Sequence, residues 1–250
     1  MSSRASASIQ VPCAFCPLRA QPAFRDFDPV ELEFVHRFKR GERRVNRGES
    51  VLVEGESSQH LYTVLTGWGF RYKLLADGRR QIVNYVMPGD LVGLQGTLMG
   101  EMQHSVEALS PMVLCVFDRD KLYTLYQKHP SLAYDVTWIA SREECMLDEN
   151  LLSIGRRSAA ERVAYLIAFL ADRARGTGLA DVADMRMPIT QQHVADTLGL
   201  SLVHTNRTIR NLVARRLISW GDRGCSVVDR KALEALAHWT GGTKVQRPFI

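Results

Sequence analysis

Between Ser201 and Arg216 the chain places Val203, Asn206, Arg207 and Arg210 at steps of three and four, with His204 at their edge. No acidic residue interrupts that run. On a helix these positions share one face. Arginine pairs with the edge of guanine, asparagine with adenine, and valine can touch the thymine methyl. The chemistry on offer is recognition of double-stranded DNA in its major groove. An ordinary basic surface helix is the bland alternative, and the elements around the run decide against it. A second chemistry rests on cysteine. Cys13-Ala14-Phe15-Cys16 is a C-x₂-C pair, and Cys115, Cys145 and Cys225 stand apart in the chain.

The run is the second of two helices that a tight turn joins. Thr190 is placed to cap the first, which turns Val194, Ala195 and Leu198 inward, and Gly199 stops it because glycine readily takes the left-handed conformation of a helix end. Ser201 caps the second, whose buried stripe is expected at Leu202, Thr205, Ile209 and Leu212. Thr190, Gln191 and Ser201 complete the expected DNA-facing set with Val203, His204, Asn206, Arg207 and Arg210. Downstream, Leu217-Ile218-Ser219-Trp220 and Cys225-Ser226-Val227-Val228 flank Gly221-Asp222-Arg223-Gly224. That is a hairpin, the wing of a winged helix.

Charge follows the same division. Residues 1–150 hold 17 Lys/Arg against 19 Asp/Glu, a net of −2, whereas residues 151–250 hold 15 against 8, a net of +7. The basic half contains the helix pair, as a nucleic-acid-binding domain requires. No run approaches the roughly 20 apolar residues of a membrane span, and the amino terminus lacks a signal-peptide apolar core. No association with a membrane and a cytoplasmic location are therefore expected, where structural disulfides are rare and metal or redox roles for the cysteines gain weight. Nothing resembles a catalytic motif, since there is no phosphate loop and no Ser/His/Asp spacing. His104, His129 and His193 read as ordinary surface or turn residues. A ligand-binding protein or enzyme with an appended helical domain is the rival class.

In chain order, residues 1–29 form an arm. Asp28-Pro29-Val30-Glu31 opens a helix running to about Phe38. From Gly41 to Asp118, short alternating segments are broken at Glu54-Gly55, Thr66-Gly67, Ala76-Asp77-Gly78 and Met87-Pro88-Gly89-Asp90. They predict strands around Val51–Val53, Leu61–Leu65, Gly69–Leu74, Gln81–Val86 and Met112–Phe117, and hence an antiparallel β-roll over residues 30–130. A long helix follows over 131–155. Leu132, Ile139 and Met146 recur on it at sevens, as do Trp138, Cys145 and Leu152, which suits either a dimer seam or a helix lying on its own domain. Gly155-Arg156-Arg157-Ser158 reads as a hinge, with Ser158 and Glu161 forming a capping box. The winged helix spans 156–240, and residues 241–250 are expected to be a flexible tail. The fold class is α+β.

A β-roll, a heptad helix and a winged helix-turn-helix, in that order, resemble the Crp/Fnr family of bacterial transcription regulators from about Asp28 to about His238. The resemblance is carried by Leu52-Val53-Glu54-Gly55, Leu65-Thr66-Gly67, Pro88-Gly89-Asp90-Leu91-Val92-Gly93, Arg156-Arg157-Ser158-Ala159-Ala160-Glu161-Arg162-Val163 and the helix pair. It implies a roll of the double-stranded β-helix type that binds cyclic nucleotides, a homodimer on a palindromic promoter site, and contact with RNA polymerase. The family commonly presents a glutamate where this chain has Val203, which implies a different half-site. Members that bind cyclic nucleotides set an arginine against the phosphate, but here that position falls near Gln103-His104-Ser105 and no arginine lies between Arg80 and Arg119. The roll is therefore expected to keep its shape without a cyclic nucleotide. The Fnr branch hangs an iron–sulfur cluster on three N-terminal cysteines and one in the roll, and Cys13, Cys16 and Cys115 match three of those places. The fourth falls at or near Pro22, which cannot bind a metal, with Asp26, Asp28 or a histidine as substitutes. A cluster or other metal, free thiols on an arm, and a signal of oxygen or redox state all stay open. Cys145 and Cys225 read as packing residues.

Overall fold

The computed structural model describes residues 11–179, 185–241 and 245–250. Two four-stranded antiparallel sheets form the roll. One is ordered β1 (Lys39–Val45), β8 (Met112–Asp118), β3 (His60–Thr66), β6 (Leu91–Val92). The other is ordered β2 (Ser50–Leu52), β7 (Ser105–Ala108), β4 (Gly69–Leu74), β5 (Arg80–Val86). Val45, Val64, Val92, Val106 and Leu114 fill the space between the sheets, so the predicted strands hold. The sequence Lys39-Arg40-Gly41-Glu42-Arg43-Arg44-Val45 is too charged to read as a strand, yet it forms β1. It lies at a sheet edge, where Gly41 and Val45 are buried, Lys39 and Glu42 neutralise each other, and the remaining charge discourages further pairing.

Helix α1 (Pro29–Phe38) starts at Asp28, whose carboxylate accepts from the backbone N–H groups of Val30 and Glu31. Helices α2 (Leu94–Met99) and α3 (Leu122–Lys128) precede the long α4 (Pro130–Arg156). Of the two heptad rows on α4, the one expected at Leu132, Ile139 and Met146 turns onto its own chain. Leu132 and Met146 are buried, and Ile139 packs against the cluster that holds Leu132. That row is therefore not a free seam, because intrachain packing already covers it. Trp138 keeps part of its surface, and Cys145 and Leu152 are exposed.

Ser158 and Glu161 form the expected capping box at the start of α5 (Ala159–Gly176). This helix is buried almost all round by α4, by α6 (Gln191–Leu198), α7 (Leu202–Ala214) and α8 (Arg230–Ala237), and by the roll. One apolar cluster runs from Phe70 and Tyr85 in the roll, through Val163 and Leu170 of α5, to Val194, Ile209 and Leu233 of the winged helix. The two units share a core.

The tail is held, contrary to the flexible segment expected at 241–250. Residues 242–244 of it lie outside the described residues. Arg247 exchanges backbone hydrogen bonds with Ala23 and Arg25 of the arm, at 2.9 and 3.0 Å. Phe249 packs on Phe24 and Phe27 with ring centroids 5.3 and 4.7 Å away. The backbone oxygen of Ile250 accepts from Thr63. Two buried apolar side chains and a neutralised charge outweigh the entropy of a chain end here. Gly89, at φ 84°, leaves room for this, since the ring of Phe24 and the guanidinium of Arg247 occupy the space a Cβ would take.

Candidate nucleic-acid interface

Helix α6 is capped at both ends. The Thr190 hydroxyl accepts from the backbone N–H of His193 at 3.2 Å, and Nδ1 of His193 accepts from the Thr190 N–H at 3.1 Å. Gly199 closes the helix at φ 63°. That use of Nδ1 needs a neutral imidazole. Burial, reinforced by the Arg80 charge, pushes His193 down to about 4. His193 is thus a half-buried cap whose ring is tilted against Phe70, 5.3 Å away, rather than a surface residue. Likewise His104 is buried, and desolvation with Arg71 and Lys73 nearby pushes it down to about 3.

Helix α7 begins at Ser201, whose hydroxyl accepts from the His204 N–H at 3.2 Å. Thr205, Ile209 and Leu212 are buried as expected, joined by Thr208. Leu202 departs from its expected place in that stripe. It sits in the first turn, beyond the core, and is 42% exposed. On the outer face Ser201, Val203, His204, Arg207 and Arg210 are exposed, and Asn206 is half-buried. Thr190 and Gln191, also half-buried, stand at the start of α6. Neither Arg207 nor Arg210 makes a hydrogen bond or ion pair among the described residues. Their guanidinium groups are free for a polyanion.

The wing is the hairpin of β9 (Ile218–Gly221) and β10 (Gly224–Val227), with Gly224 opposite Gly221 and Val227 opposite Ile218. Arg223 is exposed at its tip, and Arg215 and Arg216 are exposed just after α7. Reading α7 by its groove-facing stripe alone passes over these three. The signal for them lies in the sequence, as arginines in a turn and at a helix end, where a phosphate backbone would meet them.

The inner side of α6 is docked on β5. Arg80 Nε donates to Asp196 Oδ2 at 2.8 Å, Gln81 donates to the Thr197 carbonyl at 2.8 Å, and the Tyr85 and Thr197 hydroxyls are 2.9 Å apart. A second junction centres on Asp90. Burial opposes its ionisation, but Arg173 of α5 and Arg247 of the tail flank the carboxylate and hold it well below the usual range. Both docking contacts leave the outer face of α7 open.

Cys13, Cys16 and Cys115 are brought to one cluster beneath α1, beside the Lys39–Glu42 ion pair. Burial raises all three thiols, Cys115 to about 12, against the pull of Lys39. Among the described residues, no three His, Cys, Asp or Glu side chains converge closely enough to hold a metal ion. The substitute ligands are committed elsewhere, Asp26 to Arg19 and Asp28 to the α1 cap. As arranged, these residues do not fit an iron–sulfur cluster. Cys225 is buried under the wing and Cys145 is exposed on α4.

Two family sequence models match the chain. The cyclic nucleotide-binding domain matches residues 42–129 and the Crp-like helix-turn-helix domain matches residues 161–236. The nitrogen fixation regulation protein FixK of Bradyrhizobium diazoefficiens is 33% identical over 227 residues, covering 90% of this chain and 93% of that protein. The transcriptional activatory protein AadR of Rhodopseudomonas palustris is 30% identical over 225 residues, covering 89% and 91%. Among solved structures, FixK2 from Bradyrhizobium japonicum superposes with a TM-score of 0.68 at 28% identity, covering 82% of this chain and 98% of that one.

Proposed function

The chain belongs to the Crp/Fnr family of transcription regulators, and from that premise we propose that it binds a two-fold-symmetric promoter site as a homodimer and there contacts RNA polymerase. It is a DNA-binding transcription regulator and not an enzyme. The observation that carries the reading is the outer face of α7, where Arg207 and Arg210 project without partners from a helix capped at Ser201. Arg207 reads guanine, Asn206 and Val203 flank it, and Val203 favours a thymine methyl over the cytosine amine that a glutamate would accept from. Arg210, His204, Thr190, Gln191 and Ser201 fix the register on phosphates. Selection of bound sequences from a random pool tests this: a palindrome lacking the usual family half-site is the expected product. Recovery of the usual half-site would overturn the role given to Val203.

The dimer seam lies on the exposed side of α4, where Tyr134, Leu151 and Leu152 are uncovered and Trp138 and Cys145 form the edge. Two recognition helices about 34–36 Å apart would then meet successive major grooves. Leu152→Glu should give a monomer by light scattering and abolish specific binding. The protein works in the cytoplasm, beside its DNA; no helix among the described residues is long and apolar enough to cross a membrane.

For the signal, oxygen or redox state is favoured over cAMP. The support is the gathering of Cys13, Cys16 and Cys115 where arm, roll and α1 meet. His104 and Ser105 stand where a cyclic-nucleotide site would need arginine, and Ser105 is already bonded to the Glu54 N–H at 3.0 Å. DNA affinity should differ between air and anaerobic conditions, the difference should vanish in a Cys13→Ser/Cys16→Ser variant, and added cAMP should change nothing. Iron, sulfide and zinc analysis of anaerobically prepared protein decides whether the arm rearranges to take up a metal.

A further inference from the structure

Between α4, α5, the segment after α8 and the tail lies a cleft of about 560 Å³. It is separate from the interior of the roll, which its own side chains fill. Four arginines line the cleft, Arg142 of α4, Arg157 just after it, Arg173 of α5 and Arg247 of the tail. The one buried carboxylate among them is Asp90, and it is already shared by Arg173 and Arg247. Glu143, the next acid, is taken by Arg71 at 3.0 Å and by Asn84 at 2.8 Å. Glu149 and Asp172 also line the cleft, but each faces its own arginine, Arg157 at 3.4 Å and Arg230 at 3.5 Å.

Arg142 is left over. Among the described residues it makes no hydrogen bond or ion pair; its guanidinium lies over the Trp138 ring, 5.9 Å away, and Asp90 and Glu143, already taken by other partners, act on it only at longer range. Burial together with Arg247 and Arg173 pushes it down to about 9, outweighing that attraction, as expected of a half-buried cation that touches no counter-ion of its own. Three further donors in the lining are buried and unpartnered, Nε of Arg173, Nε of Arg247 and Nε1 of Trp239. The side chains of Arg173 and Arg247 are only 4% and 8% exposed. The opposite wall is aromatic, with Trp239 set edge-on to Tyr165 and Phe169 at 5.3 and 6.3 Å.

Surplus guanidinium and unpaired N–H donors ask for an anionic oxygen. Aromatic faces ask for a flat apolar body. We propose that this cleft binds a small aromatic anion, its carboxylate, phosphate or sulfonate on Arg142 and its ring against Phe169 and Trp239, next to the edge of the dimer seam at Trp138. Such a ligand would touch α4, α5 and the tail at once, so its occupancy biases how the winged helix sits on the roll. The inference goes beyond the redox reading and uses none of the three clustered cysteines.

The full chain can be titrated with the fluorescent anion 8-anilinonaphthalene-1-sulfonate, with the uncharged N-phenyl-1-naphthylamine as a matched control. One saturable site per chain is expected for the anion, weakened by salt and displaced by phenyl phosphate better than by inorganic phosphate. Arg142→Gln should weaken the anion about tenfold or more, in line with the loss of one charge-assisted pair, and leave the neutral probe unchanged. Arg142→Lys should restore part of the loss. Equal binding of the two probes to the unaltered protein, with no salt effect, overturns the proposal without recourse to any variant. So does an Arg142→Gln protein of unchanged circular dichroism that binds the anion as tightly as the parent.

Discussion

The outer face of α7 and the junction at Asp90 use the same side chain to opposite ends. On α7, Arg207 and Arg210 stand in water without partners. At the junction, Arg173 and Arg247 are buried and clamp one carboxylate. Water solvates an exposed guanidinium at little cost, so it stays available to DNA. A buried one must find a counter-charge, and in doing so becomes part of the structure. Possession of a counter-charge, rather than residue type, therefore separates the arginines that bind, on α7 and at Arg142, from those that brace. Changes at the two places should be read out by different measurements.

The sharpest break in that comparison is Asp90→Asn. It leaves Arg173 and Arg247 buried without a counter-ion and should cost about 3–5 kcal/mol in denaturant unfolding. The pH dependence follows from the same carboxylate. Its ionisation is favoured in the folded chain, so its contribution is full above the ordinary aspartate range near pH 4 and is lost as pH falls below it. The parent should lose stability steeply below about pH 4, and the Asn variant should show a shallower acid limb. Arg247→Ala tests the clamp from the other side. Asp90 keeps Arg173, so nothing is stranded, and the loss should be smaller, about 1.5–3 kcal/mol for hydrogen bonds to a charged group. If residues 245–250 were a loose tail, Arg247→Ala would change nothing.

Arg207→Ala inverts the pattern. Unfolding should shift by no more than about 0.5 kcal/mol, while affinity for the selected site falls by about 1–3 kcal/mol and affinity for random DNA falls much less. Equal losses on both DNAs would reduce Arg207 to a phosphate contact.

These two regions also differ in how far the sequence reveals them. The α7 face is written in consecutive residues: caps at Thr190, Gly199 and Ser201, a stripe at every third or fourth position, and arginines opposite it. Each is a local rule, and only Leu202, in the first turn beyond the core, escaped it. The clamp joins residues 83 and 157 positions apart, and no periodicity records such a pairing. A chain end after a Gly-Gly-Thr stretch reads as loose until the buried carboxylate that Arg247 answers is known. The α4 rows fall between these cases. Heptad spacing showed that α4 has apolar sides, but which side the roll and α5 would cover depended on packing that spacing does not encode.

The smallest effect separates two roles within one residue. Ser201 caps α7 by accepting from the His204 N–H, and its exposed hydroxyl is also placed to meet a phosphate. Ser201→Ala removes both roles and should cost about 0.5–2 kcal/mol of stability. Ser201→Gly removes the hydroxyl too, but glycine is tolerated at an N-cap, so only a few tenths of a kcal/mol should be lost. If Ser201 matters to DNA only by ordering the first turn, the Gly variant should bind almost as well as the parent and the Ala variant worse. If the hydroxyl itself touches the phosphate backbone, both variants should lose the same affinity despite their different stabilities, and by similar amounts on specific and random DNA. Thermal unfolding and salt-controlled titrations on the two variants decide between these roles. The second outcome would make Ser201 a residue that both braces and binds, as an exposed side chain on a short local bond can.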